Sequence, residues 1–405
     1  MNLREKLFFV LILIYTSIGL AQEQTDLKSE FTEITKPSIL STHPLGLLFM
    51  RLEGKFKAKP TNKIIIDPNL ASGNVWSPPV VAYIPNTERD RDFVRKFPWH
   101  AREFTVDVDT LDAKSIETQN DGVIKALNFS IDIPLNKMSE LTLKMKAFLL
   151  TKGKSPFSIF TNDAFIEGFH SAVAGGEDPF DRKLYPYNKA RIRYNDRNNN
   201  VMDLKNGDFV FSGIEANYSF FPKFEKLNAK GYFLNVGSHL GINTSKYNSS
   251  TDLGLNGNFT KSFTLKNPHR KINVGLSLGG MMRDVITFKR KQLDLGTNSS
   301  IAYLECIAEY KYLSKSGTTH SFGFDFYIQT SLNKSSEFDY VVPTKNGTSF
   351  KSWNTGISNL YKNNNYWTFM YAFGKRNTLK LYLQQDFTVN NHPDIQTGIG
   401  YSIPF

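Results

Sequence analysis

Residues 141–149 read LTLKMKAFL, with an apolar side chain at every odd-numbered position. The even-numbered positions carry Thr142, Lys144, Lys146 and Phe148. Because successive side chains of a β-strand point to opposite faces of a sheet, this period of two predicts a strand with one apolar and one polar face. The same period recurs in residues 127–133, 272–278, 302–311, 322–329, 379–386 and 395–405. The chain is therefore predicted to be all-β from about residue 100 onward.

The lengths of these strands and of their connections separate a membrane barrel from a soluble sandwich. The alternating segments are about ten to fourteen residues long, whereas sandwich strands mostly have about five or six and a tilted membrane-spanning strand needs about 9–11. Short connections such as 266–270 alternate with long ones such as 333–365, as in barrels with tight periplasmic turns and larger outer loops. We therefore predict a transmembrane antiparallel up-and-down β-barrel of about 12 strands, with about 14 as the alternative.

The N-terminus has the layout of a cleavable secretory signal. Arg4 and Lys6 precede an apolar run at 7–20, and Ala21 precedes the polar Gln22. The run is shorter than the roughly 20 apolar residues that a spanning helix needs. We expect residues 1–21 to be removed on export and the mature protein to lie in the cell outer membrane.

Residues 22–98 lie between this signal and the predicted barrel at 99–405. They are expected to form a plug, a periplasmic piece or the first two strands of the barrel, and candidate strands fall around 45–52 and 75–84. Pro78 and Pro79 argue against a central strand in the second candidate, because proline cannot donate a ladder hydrogen bond.

One segment departs from the period of two. An N-cap at 161–163 is followed by apolar residues with a period of 3.6 and then by Gly175 and Gly176, which predicts one short helix. The helix belongs to an outer insertion at about 152–207 and is expected to cover the mouth of the barrel or to enter its lumen. The residues predicted at this mouth or lid are Phe165, Glu167, Phe169, His170, Arg182, Arg191 and Arg193. A basic hairpin from 190 to 204, folded over the mouth, is an alternative explanation of the local positive charge.

The polar face of the strands is predicted to line the lumen. The residues expected to face it are Lys144, Lys146, Glu305, Glu309, Asp325, Gln329, Lys380 and Asp386. They carry both signs of charge, as in the interior of a water-filled or polar-plugged barrel.

Composition and motifs exclude several kinds of chemistry. The single cysteine, Cys306, excludes an internal disulfide and a cysteine-based zinc site. The 7 histidines show no metal-ligand spacing, so no metal, cofactor or catalytic residue is predicted. A net charge of +11 over 405 residues is not typical of a nucleic-acid-binding protein. The G-x-S-x-G match at 275–279 lies inside an alternating run, so Ser277 is expected in mid-strand rather than on the sharp turn of a nucleophile.

Residues 395–405 resemble the C-terminal strand of outer-membrane barrel proteins, in which a terminal phenylalanine such as Phe405 is recognised by the barrel-insertion machinery. The stretches HPLGLLFMRL at 43–52, NVWSPPVV at 74–81 and NDAFIEGFH at 162–170 resemble, in sequence and placement, an uncharacterised family of exported bacterial proteins. That family consists of predicted barrels known only as a domain of unknown function. The resemblance implies a barrel and brings no activity with it.

Three functions agree with these patterns. The first is a passive channel or transporter for small or amphiphilic solutes. The second is a barrel-embedded lipid hydrolase, which requires serine and histidine side chains to meet on one face of the barrel. The third is a non-catalytic surface binding or structural barrel, in which side chains and the N-terminal segment fill the lumen. Outer-membrane lipids and the insertion machinery are the expected partners.

Overall fold

A computed structural model of the chain shows a closed β-barrel. It describes residues 33–41, 43, 45–81, 117–154, 157–172, 189–195, 200–289, 293–334, 341–343, 349–351, 363–386 and 395–405. Of the fourteen strands in the main sheet, twelve form the ring, each paired with the next along the chain, and the first also pairs with the last. The predicted all-β, up-and-down barrel of about twelve strands is therefore confirmed. The predicted signal at 1–21 lies outside the described residues.

The twelve strands of the ring are β1 Ile65–Val81, β2 Glu117–Asn136, β3 Ser139–Thr151, β6 Phe209–Phe220, β7 Tyr232–Thr244, β8 Ser249–Thr264, β9 Arg270–Thr287, β10 Ser300–Leu313, β11 Thr319–Gln329, β14 Asn364–Gly374, β15 Thr378–Gln385 and β16 Ile395–Pro404. Two further hairpins are β4 Arg191–Asn195 with β5 Val201–Lys205, and β12 Val341–Pro343 with β13 Ser349–Lys351. The helices are a 3-10 turn at Gly46–Leu48, α1 at Asp163–Ala172 and α2 at Glu225–Asn228. None of those in the described ranges is long and apolar enough to cross a membrane.

The two ends of the ring differ in their connections. At one end, which we call the short-turn end, the connections are 137–138, 221–231, 265–269, 314–318 and 375–377. At the other, the long-loop end, lie the insertion at 152–208 and the connections 288–299 and 330–363, together with one short connection at 245–248. This is the alternation of short and long connections from which the barrel was predicted.

Strand β1 closes the ring, and its position differs from the sequence prediction. It pairs with β2 over its whole length and with β16 up to Gly73, which lies opposite Gln396. The ring thus begins at Ile65 rather than at residue 99. Pro78 and Pro79 fall at a bulge beyond the pairing with β16, so neither has to donate a hydrogen bond within a central strand. The prolines are tolerated because this part of β1 is an edge.

The two faces of the wall differ as the alternation predicted. Outside, large apolar side chains remain exposed, including Leu255 at 66% and Leu278 at 58%. Inside, Asn258, Ser277 and Glu305 are buried, and Ser277 lies in the middle of β9 as expected. A closed ring pairs the backbone groups of every strand, and an apolar exterior of this kind is stable against lipid chains. The barrel is therefore built to cross a membrane.

Arginine substitutions at two depths of one strand test this placement. Leu276→Arg, at the middle of the outward face of β9, is expected to destabilise the barrel in vesicles by about 2–4 kcal/mol, because it places a charge deep in hydrocarbon. Ile272→Arg, on the same face near the short-turn end, is expected to cost only about 0–1 kcal/mol. Urea unfolding measures both values, and equal losses would contradict the placement.

Candidate functional site: the plugged lumen

The residues before β1 occupy the lumen, and we call residues 33–64 the plug. On the entering leg, Lys311 Nζ of β10 donates a hydrogen bond to the carbonyl of Glu33. On the returning leg, the Thr61 N–H donates to Glu140 Oε2 of β3 over 2.7 Å. Lys311 and Glu140 both lie close to the short turns that follow or precede their strands. Both ends of the plug are therefore at the short-turn end of the barrel.

The 3-10 turn Gly46–Leu48 forms the apex of the plug. Ser212 Oγ of β6 donates to the Leu47 carbonyl over 2.6 Å, and Asn248 Nδ2, in the connection between β7 and β8, donates to the Leu48 carbonyl over 3.1 Å. Leu47 and Leu48 are buried in the apolar cluster of the barrel. The candidate strand at 45–52 is thus a turn and an irregular leg inside the ring.

Glycines in the wall leave room for two side chains of the returning leg. A Cβ atom at Gly241 of β7 would lie 2.9 Å from Met50 Cγ, and one at Gly275 of β9 would lie 2.4 Å from Phe56 Cδ1. Both distances are well below the roughly 3.5 Å of a normal carbon–carbon contact. The wall and the plug are therefore complementary in shape at these points.

Arg51 of the plug lies against a row of stacked tyrosines. The Tyr327 ring stacks between Tyr303 and Tyr366, with centroids 5.4 Å and 5.0 Å away. The Arg51 guanidinium lies 4.1 Å from the Tyr327 ring centre and 4.8 Å from that of Tyr366. Its Nη1 donates to the Leu40 carbonyl of the other leg over 3.1 Å. Arg51 thus joins the two legs to the wall through a cation–π contact.

Two lysines of the returning leg contact two wall carboxylates near the short-turn end. Lys57 Nζ lies 2.7 Å from Asp132 Oδ2 and 3.3 Å from Glu140 Oε1, and Lys55 pairs with the same two acids. Burial alone would lower the pKa of Lys57, but the carboxylates of Asp132, Glu33 and Glu140 raise it well above its ordinary value. Lys57 is therefore held as a cation. We call these four residues the ion-pair latch.

Further ion pairs fasten the middle of the plug. Lys144 Nζ lies 3.0 Å from Glu53 Oε2, and Lys36 pairs with Glu305 of β10. Burial would raise the pKa of Glu53, but the nearby cations Lys144, Lys36 and Arg51 outweigh it and lower the pKa to about 2. Glu53 is accordingly ionised at neutral pH.

The structure brings five of the residues predicted to face the lumen against the plug. Besides Lys144 and Glu305, these are Lys146, which donates to the Gly46 and Phe49 carbonyls, Glu309, which accepts from the Thr35 N–H, and Lys380, which donates to the Lys36 carbonyl. The other three, Asp325, Gln329 and Asp386, are buried on or next to β11 and β15. The partners of the lumen-facing residues in the plug were not predicted. Charged residues occur at 53, 55 and 57, but this run is too short to form a strand period.

Helix α1 begins at the predicted N-cap but lies outside the ring. Asn162 Oδ1 accepts from the Phe165 N–H over 2.9 Å. Thr161 and Asp163 bond to Ser72 and Asn74 of β1 over 2.8 and 3.0 Å. These two residues of β1 alternate with the inward-facing Asn69, Ala71 and Gly73, so they point outward. The expectation that the helix covers the mouth or enters the lumen is therefore wrong. Glu167 of the helix is buried, while the His170 side chain and Arg182 lie outside the described part.

The β4–β5 hairpin folds over the mouth instead. Arg191 lies opposite Asp121 of β2, so β4 continues the ladder of β2 where the pairing with β3 ends. Tyr194 Oη donates to the Asp294 carbonyl over 2.8 Å, in the connection between β9 and β10 on the far side of the ring. Arg191 makes a two-pronged ion pair with Asp203 across the hairpin, at 2.8 and 2.9 Å, and Arg193 lies on the same strand. This is the hairpin that the sequence analysis proposed as an alternative.

A cavity of about 300 Å³ remains between the plug and the wall. It is bordered by Lys375 and Arg376 at the short-turn end and reaches Lys144 and His239 deeper in the lumen.

His239 Nδ1 lies 2.6 Å from Asn217 Oδ1, and His320 Nδ1 lies 2.9 Å from the Tyr371 hydroxyl. The partner of each Nδ1 atom is thus an amide or a phenol hydroxyl rather than a serine. Within the described ranges, no group of three or more metal-ligating side chains is brought together.

Comparison with known proteins assigns neither a family nor an activity to this chain. No family model matches the chain, and no curated protein sequence matches it. The suggested family of unknown function therefore stays a prediction. Among solved structures, the chain is similar to an outer-membrane channel from Pseudomonas putida F1, at 9% identity and a TM-score of 0.40, covering 88% of this chain and 100% of that one. It is also similar to the β domain of the Bordetella autotransporter BrkA (8% identity, TM-score 0.36, 85% and 100% covered) and to LpxR from Salmonella typhimurium (6%, 0.36, 84% and 100%).

Filling the space that Gly241 of the wall leaves for Met50 is expected to loosen the plug. Gly241→Leu places a side chain where Met50 lies, and overpacking of this kind costs about 1–3 kcal/mol. We expect hydrogen exchange at 46–52 to speed up by about tenfold, since about 1.4 kcal/mol corresponds to that factor. The matched control is Gly257→Leu on β8, where a new Cβ meets open space. If hydrogen exchange speeds up in both variants, or in neither, Gly241 has no specific role in holding the plug.

Acid is expected to loosen the plug through Glu53. The pKa of a free glutamate is 4.5 and that of Glu53 in the plug is about 2. Because the pKa is lowered on binding, Glu53 stabilises the bound plug fully above pH 4.5 and loses this contribution as the pH falls toward 2. Hydrogen exchange at 46–57, corrected for its intrinsic pH dependence, should therefore be constant from about pH 7 to about pH 5 and rise below. In Glu53→Gln the increase in hydrogen exchange at low pH should be smaller. An unchanged increase would mean that other carboxylates cause the loosening of the plug.

Proposed function

We propose that this protein is an outer-membrane channel for small or amphiphilic solutes, closed at rest by its own plug. The observation that carries the proposal is the path of the plug, whose two ends both lie at the short-turn end. A loop that enters and leaves on the same side can be withdrawn without threading the ring or breaking a strand pair. The barrel can therefore open while its wall stays intact.

The composition of the wall behind the plug supports this proposal. Asn217, His239 and Asn256 border the cavity together with charged residues of both signs. In a permanently filled interior, apolar side chains are the less costly choice, because every buried ion pair must offset the desolvation of two charges. Amides and charges of both signs are what a water-filled passage needs once the plug has left.

Opening is proposed to begin at the ion-pair latch. The cavity borders Lys55, Lys57 and Asp132, so water has access to these pairs from the short-turn end. Water can hydrate the separated charges as the returning leg moves, which lowers the cost of breaking the pairs. The apolar apex lies farther in and follows.

The location belongs to the same proposal. We place the short turns in the periplasm and the long loops outside, as in bacterial outer-membrane barrels. We also propose that the chain is exported through the signal at 1–21. The barrel-insertion machinery then inserts it by recognising the strand that ends at Phe405. Membrane lipids then surround the apolar exterior.

The second candidate is a non-catalytic barrel that acts through its surface loops, and the packing of the apex favours it. Leu40, Leu48 and Phe49 are 1–2% exposed, so the plug is also part of the apolar core. In this case the plug stays in place and the lumen conducts nothing.

Conductance across planar bilayers distinguishes the two candidates. The full chain is expected to show rare or small steps, and a variant lacking residues 33–57 is expected to show stable, larger ones, because its polar lumen is open. The deletion must end before Ile65, since β1 closes the ring. Circular dichroism verifies that the variant is folded, and a folded variant that remains silent would overturn the channel in favour of the surface barrel.

A further inference from the structure

The short-turn end carries a ring of positive charge, and seven of its nine cations lie outside the lining of the cavity. Its five connections and the strand ends beside them bear nine exposed cations and one exposed acid, Glu225. The cations are Lys137, Lys223, Lys226, Lys230, Lys266, Arg270, Lys315, Lys375 and Arg376. Each of the five connections, counted with its flanking strand end, contributes at least one. We call these nine residues the basic rim.

Most charges of the basic rim have no counter-charge among the residues that the structure describes. Apart from Arg376, none of its members forms an ion pair with any described residue. Nine like charges at one end of the barrel repel one another, and the eight cations other than Arg376 have no ion-pair partner among the described residues, which favours an external anion. The basic rim is therefore suited to a partner that supplies negative charge at all five connections.

The basic rim lies directly beside exposed apolar side chains. Phe224 and Leu227 flank Lys226, Leu265 precedes Lys266, and Phe373 is close to Lys375; all four apolar side chains are between 36% and 49% exposed. Apolar and aromatic groups beside lysine and arginine are typical of the boundary between hydrocarbon and headgroups, where the long cationic side chains extend into the polar layer.

The distribution around the barrel selects the kind of partner. The five connections follow β2, β6, β8, β10 and β14, which are spread around the ring in strand order. A protein bound at one side would contact only part of this circle, whereas a layer of headgroups surrounding the barrel contacts all of it.

We infer that the basic rim binds the phosphates of anionic phospholipids in the adjacent leaflet. In the proposed orientation this is the periplasmic leaflet of the outer membrane. Each lysine or arginine near an anionic surface adds to the attraction between the barrel and the headgroups. The bound lipids fix the height of the barrel in the membrane. The inference rests on the proposed membrane placement and is independent of whether the plug ever opens.

Lipid selectivity tests the inference with the full chain. The protein is reconstituted in phosphatidylcholine vesicles that contain a trace of spin-labelled phosphatidylglycerol or spin-labelled phosphatidylcholine. Electron paramagnetic resonance then gives the fraction of each label immobilised at the barrel. We expect phosphatidylglycerol to be favoured by about threefold or more, and this preference to vanish in about 1 M salt, where the Debye length is about 3 Å.

Two triple variants assign the preference to one end. Lys226→Gln, Lys230→Gln and Lys266→Gln together are expected to reduce the preference by about half or more, because they remove three of the nine cations of the basic rim. The matched control replaces the exposed Lys152, Lys154 and Lys205 near the long-loop end and should keep the preference. All six positions are exposed, and circular dichroism verifies folding.

Three outcomes would overturn the inference. The first is equal immobilisation of the two labels, and the second is a loss of preference in the control variant alone. The third is binding of soluble polyglutamate without any lipid preference, which would assign the basic rim to an acidic protein partner. The absence of conductance would change none of these lipid-selectivity measurements. Failure of the proposed channel and failure of the proposed lipid site can therefore be distinguished.

Discussion

Backbone hydrogen bonding in the absence of water is the constraint on which the rest of this structure depends. In hydrocarbon an open sheet edge leaves N–H and C=O groups unpaired, so the strands have to close into a ring. Strand β1 makes that closure by pairing with both β2 and β16. Because β1 starts at the short-turn end, the residues before it leave the wall beside the opening of the lumen. The position of the plug thus follows from the strand that closes the ring.

The plug is held by two kinds of contact that differ in their response to water. At the apex, Leu47 and Leu48 are buried among apolar side chains, and their burial is favourable because it removes apolar surface from water. On the returning leg, Lys55 pairs with Glu140 and Lys57 with Asp132, and such a contact loses less when water can hydrate the separated charges. The apolar contacts of the plug therefore lie deep in the barrel, and its ion pairs with Asp132 lie beside the cavity.

The insertion between β3 and β6 shows how the wall sets the place of each added element. The hairpin β4–β5 extends the ladder of β2 beyond the last pair with β3, and its tyrosine reaches across the mouth. Helix α1 has no ladder to extend. It buries Ile166, and its first residue, Asp163, accepts a hydrogen bond from Asn74 on the outer face of β1. One insertion thus covers the mouth with strands and the exterior with a helix.

Local pattern determined the wall of this protein. The period of two in segments such as 141–149, the alternation of short and long connections, and the N-cap at Asn162 all depend on neighbours in sequence, so strand number, face orientation and the start of α1 were predictable from the chain alone. Lumen-facing charges such as Lys144 and Glu305 were predictable for the same reason. The closing strand, the plug and the side of the wall against which α1 packs were not, because each depends on contacts between residues far apart in sequence. Glu53 has no strand period to reveal its partner Lys144, and an amphipathic helix suits the lumen or the exterior equally well. Only ring closure, which brings β1 beside β16 and the plug inside, decided among these arrangements.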